Sequence, residues 1–318
     1  MTAAQNRPYR FAIQGGPFDD PTALGEHARR IEQLGYSELF TSDHIGAPFS
    51  GGRGGGLYVV DPFAPLLIAA AATTTLRVGT LVVNNEFYNP ALLARTAASV
   101  DRLTSGRLVL GVGTGYAEAE HEAIGAPIRS PGPRVTRFGE SLAILRALLD
   151  DGTVEHRGEF ETVVFDDIGL SPVQQPVPLL IGGHGRRVVE LAAKYADIFQ
   201  FTGLTHGEGG IPTGGGFALA DLLERAAWLV ASAGDREGDM ERSSLVQHVS
   251  VGKDAVSVDE LAVQFELPPD VVAETPFILS GSIEQLVDKV GRLRDQLGIT
   301  HYVVRDPEGF APVLDALR

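Results

Sequence analysis

The sequence predicts an α/β chain whose strand–helix units close into a (β/α)8, or TIM, barrel with insertion loops at its C-terminal face. Three observations predict it. Apolar strand-like runs alternate with helix-like segments from one end of the chain to the other. The strand runs are continuously apolar instead of alternating, as in strands buried on both faces. Eight such units fit into 318 residues, which matches a closed barrel. A doubly wound open sheet is the alternative, and it too places its ligand site at the strand C-termini. Residues 1–318 are expected to form one barrel domain.

Phe11-Ala12-Ile13-Gln14 reads as the first strand. Pro21 to Leu34 follows as a helix, with Asp20 as N-cap, Pro21 at the first helical position and Gly35 at the end. Glu38 to Ser42 is the second strand, and Asp61-Pro62 opens a helix through Thr73. Leu76 to Asn84 is the third strand, and Asn89-Pro90 starts a helix to Leu103. Arg107 to Gly113 is the fourth strand, with its helix over Arg134 to Leu149. Thr153 to Val164 reads as a hairpin without chemistry. Pro178 to Ile181, Ile198 to Thr202, Ser244 to Val251 and Thr300 to Val304 are the remaining strands. Their helices are Arg186 to Tyr195, Phe217 to Ala233, Ile283 to Leu297 and Pro312 to Leu317. Two glycine-dense loops, Ala47 to Tyr58 and Thr205 to Gly216, follow strands and are expected to act as active-site lids, with loose surface loops as the alternative.

Bulk chemistry narrows the function. A net charge of −15 makes nucleic acid and anionic membrane poor partners. It leaves room for an anionic cofactor, because helix N-termini bind phosphate without net positive charge. The absence of cysteine removes disulfides, thiolate catalysis and Cys-ligated metals. The polar N-terminus and short apolar runs favour a cytoplasmic enzyme.

Four motifs sit at strand exits, where barrel enzymes carry their chemistry. Asp43 and His44 end the second strand, and an acid beside an imidazole suits proton transfer. The alternative is that Asp43 only caps the loop. Asn84-Asn85 ends the third strand and offers amides to a polar cofactor or to loop backbone. Gly111-Val112-Gly113-Thr114-Gly115 ends the fourth strand. Tyr116 stands where a dinucleotide fingerprint needs glycine, so these glycines point to close approach by a flat cofactor or another backbone. Thr114 can hydrogen-bond, and Tyr116 can flank a ring. Gly182-Gly183-His184-Gly185-Arg186 joins the fifth strand to a helix, a strand–turn–helix junction with a cation that suits phosphate. A tight turn with an incidental arginine is the alternative. Glu118, Glu120, Glu122 and His121 look metal-like, but residues two apart do not share a helix face. No metal is expected.

Together these residues resemble the F420-dependent branch of the luciferase-like monooxygenase superfamily. The resemblance runs in family order from residue 10 to about 305. It is carried by Thr41-Ser42-Asp43-His44, by Val78-Gly79-Thr80 with Asn89-Pro90, and by Gly111 to Tyr116 with Glu120 and Gly125. Pro178 to Gly183 with Ala192-Ala193 and Tyr195-Ala196-Asp197 completes it. The resemblance implies coenzyme F420 as cofactor, with FMN and a monooxygenase reaction as the alternative. It implies that Asp43 contacts the deazaflavin ring system and that His44 exchanges the proton. A non-prolyl cis peptide near Leu81-Val82 would support the ring. Asn84, Thr114, Gly115 and Tyr116 would lie along the cofactor, and Gly182 to Arg186 would hold its phosphate. A homodimer acting on a small organic molecule is implied by the same analogy. Tyr116 departs from the tryptophan common in the family and from the catalytic glutamate of its sugar-phosphate dehydrogenases, and His121 replaces a usual aromatic residue. The substrate therefore does not carry over.

Overall fold

The computed structural model describes residues 7–45, 60–206 and 212–318. Eight parallel strands alternate with eight helices, and the fold is a (β/α)8 barrel. The strands are β1 (Arg10–Gln14), β2 (Glu38–Thr41), β3 (Arg77–Thr80), β4 (Leu108–Gly113), β5 (Leu179–Gly182), β6 (Ile198–Phe201), β7 (Glu241–Leu245) and β8 (Ile299–Val304). The helices are α1 (Pro21–Leu34), α2 (Ala64–Ala72), α3 (Pro90–Leu103), α4 (Pro131–Asp150), α5 (Arg186–Tyr195), α6 (Leu219–Ala233), α7 (Ile283–Leu297) and α8 (Pro307–Ala316). The chain divides into two compact units, one over residues 15–33 and 38–181, the other over 1–14, 34–37 and 182–318.

In the first unit, β2 pairs with β3, β3 with β4, and β4 with β5, all parallel. Local chemistry sets the helix starts. Asp20 Oδ1 accepts the N–H groups of Thr22 (2.8 Å) and Ala23 (3.1 Å), and Asn89 Oδ1 those of Ala91 (3.0 Å) and Leu92 (3.3 Å). Each such cap contributes about 1 kcal/mol. The third strand is not continuous. It stops at Thr80, resumes at Val83-Asn84, and the peptide between Leu81 and Val82 is cis, as the resemblance implies. The hairpin pairs Val154–Arg157 with Thr162–Phe165. A latch then returns the chain to β5. Buried Asp101 on α3 accepts the N–H groups of Val173 (2.7 Å) and Gln174 (2.9 Å) and the Gln174 side chain (2.6 Å). Asp101→Ala leaves these donors without their acceptor and is expected to lower unfolding free energy by about 2 kcal/mol. Urea denaturation checks this, and a change below about 0.5 kcal/mol would count against the latch.

In the second unit, β1 pairs with β8, β8 with β7, and β7 with β6, again parallel. Here one expectation fails. The seventh strand is Glu241–Leu245, not Ser244 to Val251. Its polar residues are buried and mostly paired: Glu241 pairs with Arg10 at 2.8 Å, and Arg242 donates to Leu297 O (2.8 Å) and Glu237 (2.6 Å). A search for apolar runs passes over such a strand. His248–Val251 pairs instead with Ile278–Gly281 in a separate two-stranded sheet. Helices Val258–Phe265 and Pro269–Glu274 fill the stretch between these strands, where none was expected, and α8 begins at Pro307 rather than Pro312. Of the expected lids, all of Ala47 to Tyr58 and residues 207–211 of the second lie outside the described residues. Thr205-His206 and Pro212-Thr213 pair antiparallel at the base of the second.

Candidate active site

In the first unit the ends of β2, β3 and β4 bring Asp43, His44, Asn84 and Tyr116 together. Asp43 is buried, and its Oδ2 accepts the backbone N–H of Asn84 at 2.9 Å. Burial lifts the carboxyl to about 6, against the pull of the Asn84 N–H, a hydrogen bond from the Tyr88 hydroxyl and the neighbouring His44. Burial, and then the charge of Asp43, pushes the Tyr88 phenol well up, so it stays a donor.

His44 Nδ1 lies 2.7 Å from Glu120 Oε1, whose side chain is 1% exposed against 14% for His44. The carboxylate can only accept, so Nδ1–H is the donor of this pair. On the other side of the imidazole, the Tyr116 hydroxyl is 3.5 Å from Nε2, and the two rings meet edge-on with centroids 5.9 Å apart. Burial, then the charge of Glu120, pushes the Tyr116 phenol up to about 12.

Glu120 sits on a short helix, Glu118–Ala123, together with buried His121. Asn84 Oδ1 accepts the Glu86 N–H at 3.0 Å, so the Asn84 amide nitrogen is the donor to His121 Nε2, also 3.0 Å away. His121 Nδ1–H in turn donates to Ala126 O at 3.0 Å. Adjacent residues of one helical turn therefore tie down the ends of two strands, His44 through Glu120 and Asn84 through His121.

Backbone crowding explains part of the glycine run at β4. A Cβ on Gly111 would collide with the Thr80 carbonyl, and one on Gly113 would press on Val82 at 2.7 Å. These two glycines serve strand approach. Gly115 has φ +74°, and a Cβ there would strike the Asn84 amide. Thr114 is half-buried. Asn85 Nδ2 is a buried donor with no partner among the described residues.

In the second unit, Gly182 to Arg186 forms the turn into α5. Gly185 is the N-cap and supplies no side chain, and a Cβ at Gly185 would meet open space. The helix therefore starts with uncapped N–H groups, a ready anion site. A Cβ on Gly183 would press on Val188 at 2.5 Å, which accounts for that glycine by packing. Arg186 does not fold over the turn: it donates to Glu190 at 3.0 Å and lies over the Trp228 ring at 5.9 Å. A different cation is present. Arg225 on α6 is buried, donates Nη1 to Thr202 O at 2.9 Å, and its charge, after desolvation, holds the His184 imidazole below its ordinary value. Thr202 Oγ1, packed near Gly182, is buried with no partner among the described residues. Uncapped N–H groups, a buried guanidinium and an orphaned hydroxyl fit a phosphate.

Glu120, Tyr88 and Arg225 were not assigned roles from sequence. Arg225 had a signal: it interrupts the apolar stripe Leu222, Ala226, Leu229 of α6. The Glu120–His44 pair spans 76 residues and has no local signature.

Among the described residues, no group of three or more His, Asp or Glu could hold a metal ion, and no helix is long and apolar enough to cross a membrane. A buried carboxyl beside an imidazole–carboxylate pair at barrel strand ends has the groups that acid–base chemistry needs, on a (β/α)8 scaffold. The chain belongs to the luciferase-like monooxygenase family, which matches residues 1–266. The F420-dependent glucose-6-phosphate dehydrogenase of Intrasporangium calvum is 33% identical over 57% of this chain and 54% of its own, so this chain spans about half of that relative. The enzyme of the same description from Kribbella flavida is 32% identical over 96% of this chain and 87% of its own. An F420-dependent secondary alcohol dehydrogenase, solved with an F420–acetone adduct, shares the fold with a TM-score of 0.76 at 20% identity, over 98% of this chain and 100% of its own.

The raised Asp43 carboxyl makes a pH prediction. The native state holds this proton to about pH 6, whereas an unfolded aspartate releases it near pH 4. Between those values the native state binds more protons, so stability falls as pH rises through that window, by about 3 kcal/mol in all from this group. Asp43→Asn is expected to flatten that slope. Urea midpoints at pH 4.5 and 7 for both proteins check it, and parallel slopes would contradict it.

Proposed function

We propose that the protein is an F420-dependent oxidoreductase, acting as a reductase that moves a hydride from the reduced deazaflavin to a small organic substrate. The observation that carries this proposal is His44, anchored by buried Glu120 beside Asp43 at the end of β2. A reduced deazaflavin, when bound, supplies two electrons and a hydrogen at one carbon. The protein has to hold that ring and manage one proton. Asp43 would hydrogen-bond the ring system, with Leu81, Val82, Asn84, Thr114 and Gly115 along it. His44 would exchange the proton. Gly182, Gly183, His184 and Gly185 would hold the phosphate through backbone N–H groups, with Arg225 supplying the charge first assigned to Arg186.

Support comes from relatives described as F420-dependent that are about one-third identical to this chain. Their sugar-phosphate substrate is not adopted, because the resemblance implies a catalytic glutamate in sugar-phosphate dehydrogenases where this chain has Tyr116. A cytoplasmic homodimer belongs to the same proposal. The test is anaerobic oxidation of reduced F420 upon addition of carbonyl and activated alkene compounds, set beside oxygen uptake with reduced FMN. Substrate-dependent oxidation of F420 supports the proposal. Oxygen uptake with FMN alone moves the protein to the monooxygenase reaction.

A further inference from the structure

Resting on the hydride-transfer function above, we infer that Tyr116 is the group that hands the proton to the substrate, with His44 as its reservoir and Glu120 as the residue that positions His44. The inferred substrate class is a ketone or aldehyde, free or conjugated.

The geometry is a line of three side chains. Glu120 is buried, and His44 and Tyr116 are both partly exposed. Glu120 occupies Nδ1 at 2.7 Å. The remaining nitrogen, Nε2, faces the Tyr116 hydroxyl at 3.5 Å instead of standing alone. A hydroxyl can accept a hydrogen bond from a protonated Nε2 and donate its own proton at the same time. This property lets it stand between an imidazole and a substrate oxygen. The Tyr116 phenol is raised to about 12, so it stays protonated at neutral pH yet remains more acidic than the aliphatic alcohol a carbonyl reduction makes.

The step balances as follows. The carbonyl carbon takes a hydride with its two electrons from the reduced deazaflavin, and the C=O π pair moves onto oxygen. That oxygen takes the proton from Tyr116 Oη as the O–H bond breaks. The Nε2–H proton of His44 moves to the phenolate, and His44 regains a proton from water. The carbonyl compound is reduced, the deazaflavin oxidised, and one proton is consumed.

Two measurements test it. The first needs neither cofactor nor substrate: the ring-nitrogen resonances of His44 in the whole chain, in wild type, Tyr116→Phe and Glu120→Gln. The expected result is a protonated Nδ1 in wild type, an Nε2 signal that shifts in Tyr116→Phe, and loss of the fixed Nδ1 tautomer in Glu120→Gln. An Nε2 signal unmoved by Tyr116→Phe overturns the relay. The second follows oxidation of reduced F420 by acetone, cyclohexanone, cyclohex-2-enone and benzaldehyde. Tyr116→Phe is expected to lower kcat about 100-fold, to reduce the solvent isotope effect and to leave KM and F420 affinity near wild type. A kcat within twofold of wild type overturns the assignment. If wild type reduces none of these compounds, the substrate class is wrong. If F420 does not bind at all, the hydride-transfer function fails while the His44 spectra still decide the relay.

Discussion

Replacing His44 with alanine is expected to lower turnover by about 100- to 10,000-fold, the usual contribution of a positioned general acid–base. F420 affinity should change by less than about threefold, because the proposal above gives the binding of the cofactor to other residues. The physical reason lies in the pairing. Glu120 is 1% exposed and 2.7 Å from His44 Nδ1, so the imidazole is held in one tautomer with Nε2 directed at Tyr116. The variant leaves Glu120 without its partner, so its folding should be checked by denaturation. His44→Gln, which offers an amide donor to Glu120 but cannot exchange a proton, separates the two effects. Turnover lost in both variants with folding intact in the second supports proton exchange. Equal loss of turnover and cofactor affinity in His44→Gln would contradict it and make His44 a binding residue.

Gly111→Ala is expected to be the most destabilising single methyl addition at the site. The added carbon would lie on the Thr80 carbonyl, which is backbone and cannot rotate away. The same two residues are joined twice more: Thr80 Oγ1 donates to Gly111 O at 2.8 Å and accepts the Gly111 N–H at 3.0 Å. Overpacking costs about 3 kcal/mol, and each hydrogen bond strained by the necessary strand shift about 1 kcal/mol. A loss of about 5 kcal/mol in unfolding free energy is therefore expected, read from urea denaturation. Gly132→Ala is the control, since a Cβ there meets nothing within 4 Å. Equal stability of the two variants would show that β3 and β4 have slack at this crossing.

How much of this was legible in the sequence depended on whether the signal was local. Helices α1 and α3 begin where Asp20-Pro21 and Asn89-Pro90 indicated, and α5 and α7 have the expected bounds. Those signals act within one turn of the helix. The start of the seventh strand was missed because Glu241, Arg242 and Ser243 look like surface, and only their partners Arg10, Glu237, Leu297 and Gln200, 5 to 231 residues away, make them interior. The candidate site divides the same way. Asp43, His44 and Tyr116 stood out by lying at strand exits. The contact that orients His44 comes from Glu120, whose neighbours in sequence gave it a metal-like look and no proton-transfer signal. Part of the β4 glycine run, read as close approach by a flat cofactor or another backbone, is at Gly111 and Gly113 room for β3 and the residues after it. Arg186, the obvious cation by position, pairs with Glu190 one turn further along α5, while Arg225 is buried on α6. A charged residue inside an apolar stripe is a local signal, and it merits a function test wherever it occurs.

The most direct test of the central claim is a binding titration of the purified protein with F420 and, separately, with FMN, each oxidised and reduced, followed by fluorescence or heat. The expected result is selective binding of the deazaflavin, weakened by Arg225→Ala more than by Arg186→Ala. Selective binding of FMN, or of neither, would contradict the assignment of this chain as an F420-dependent oxidoreductase.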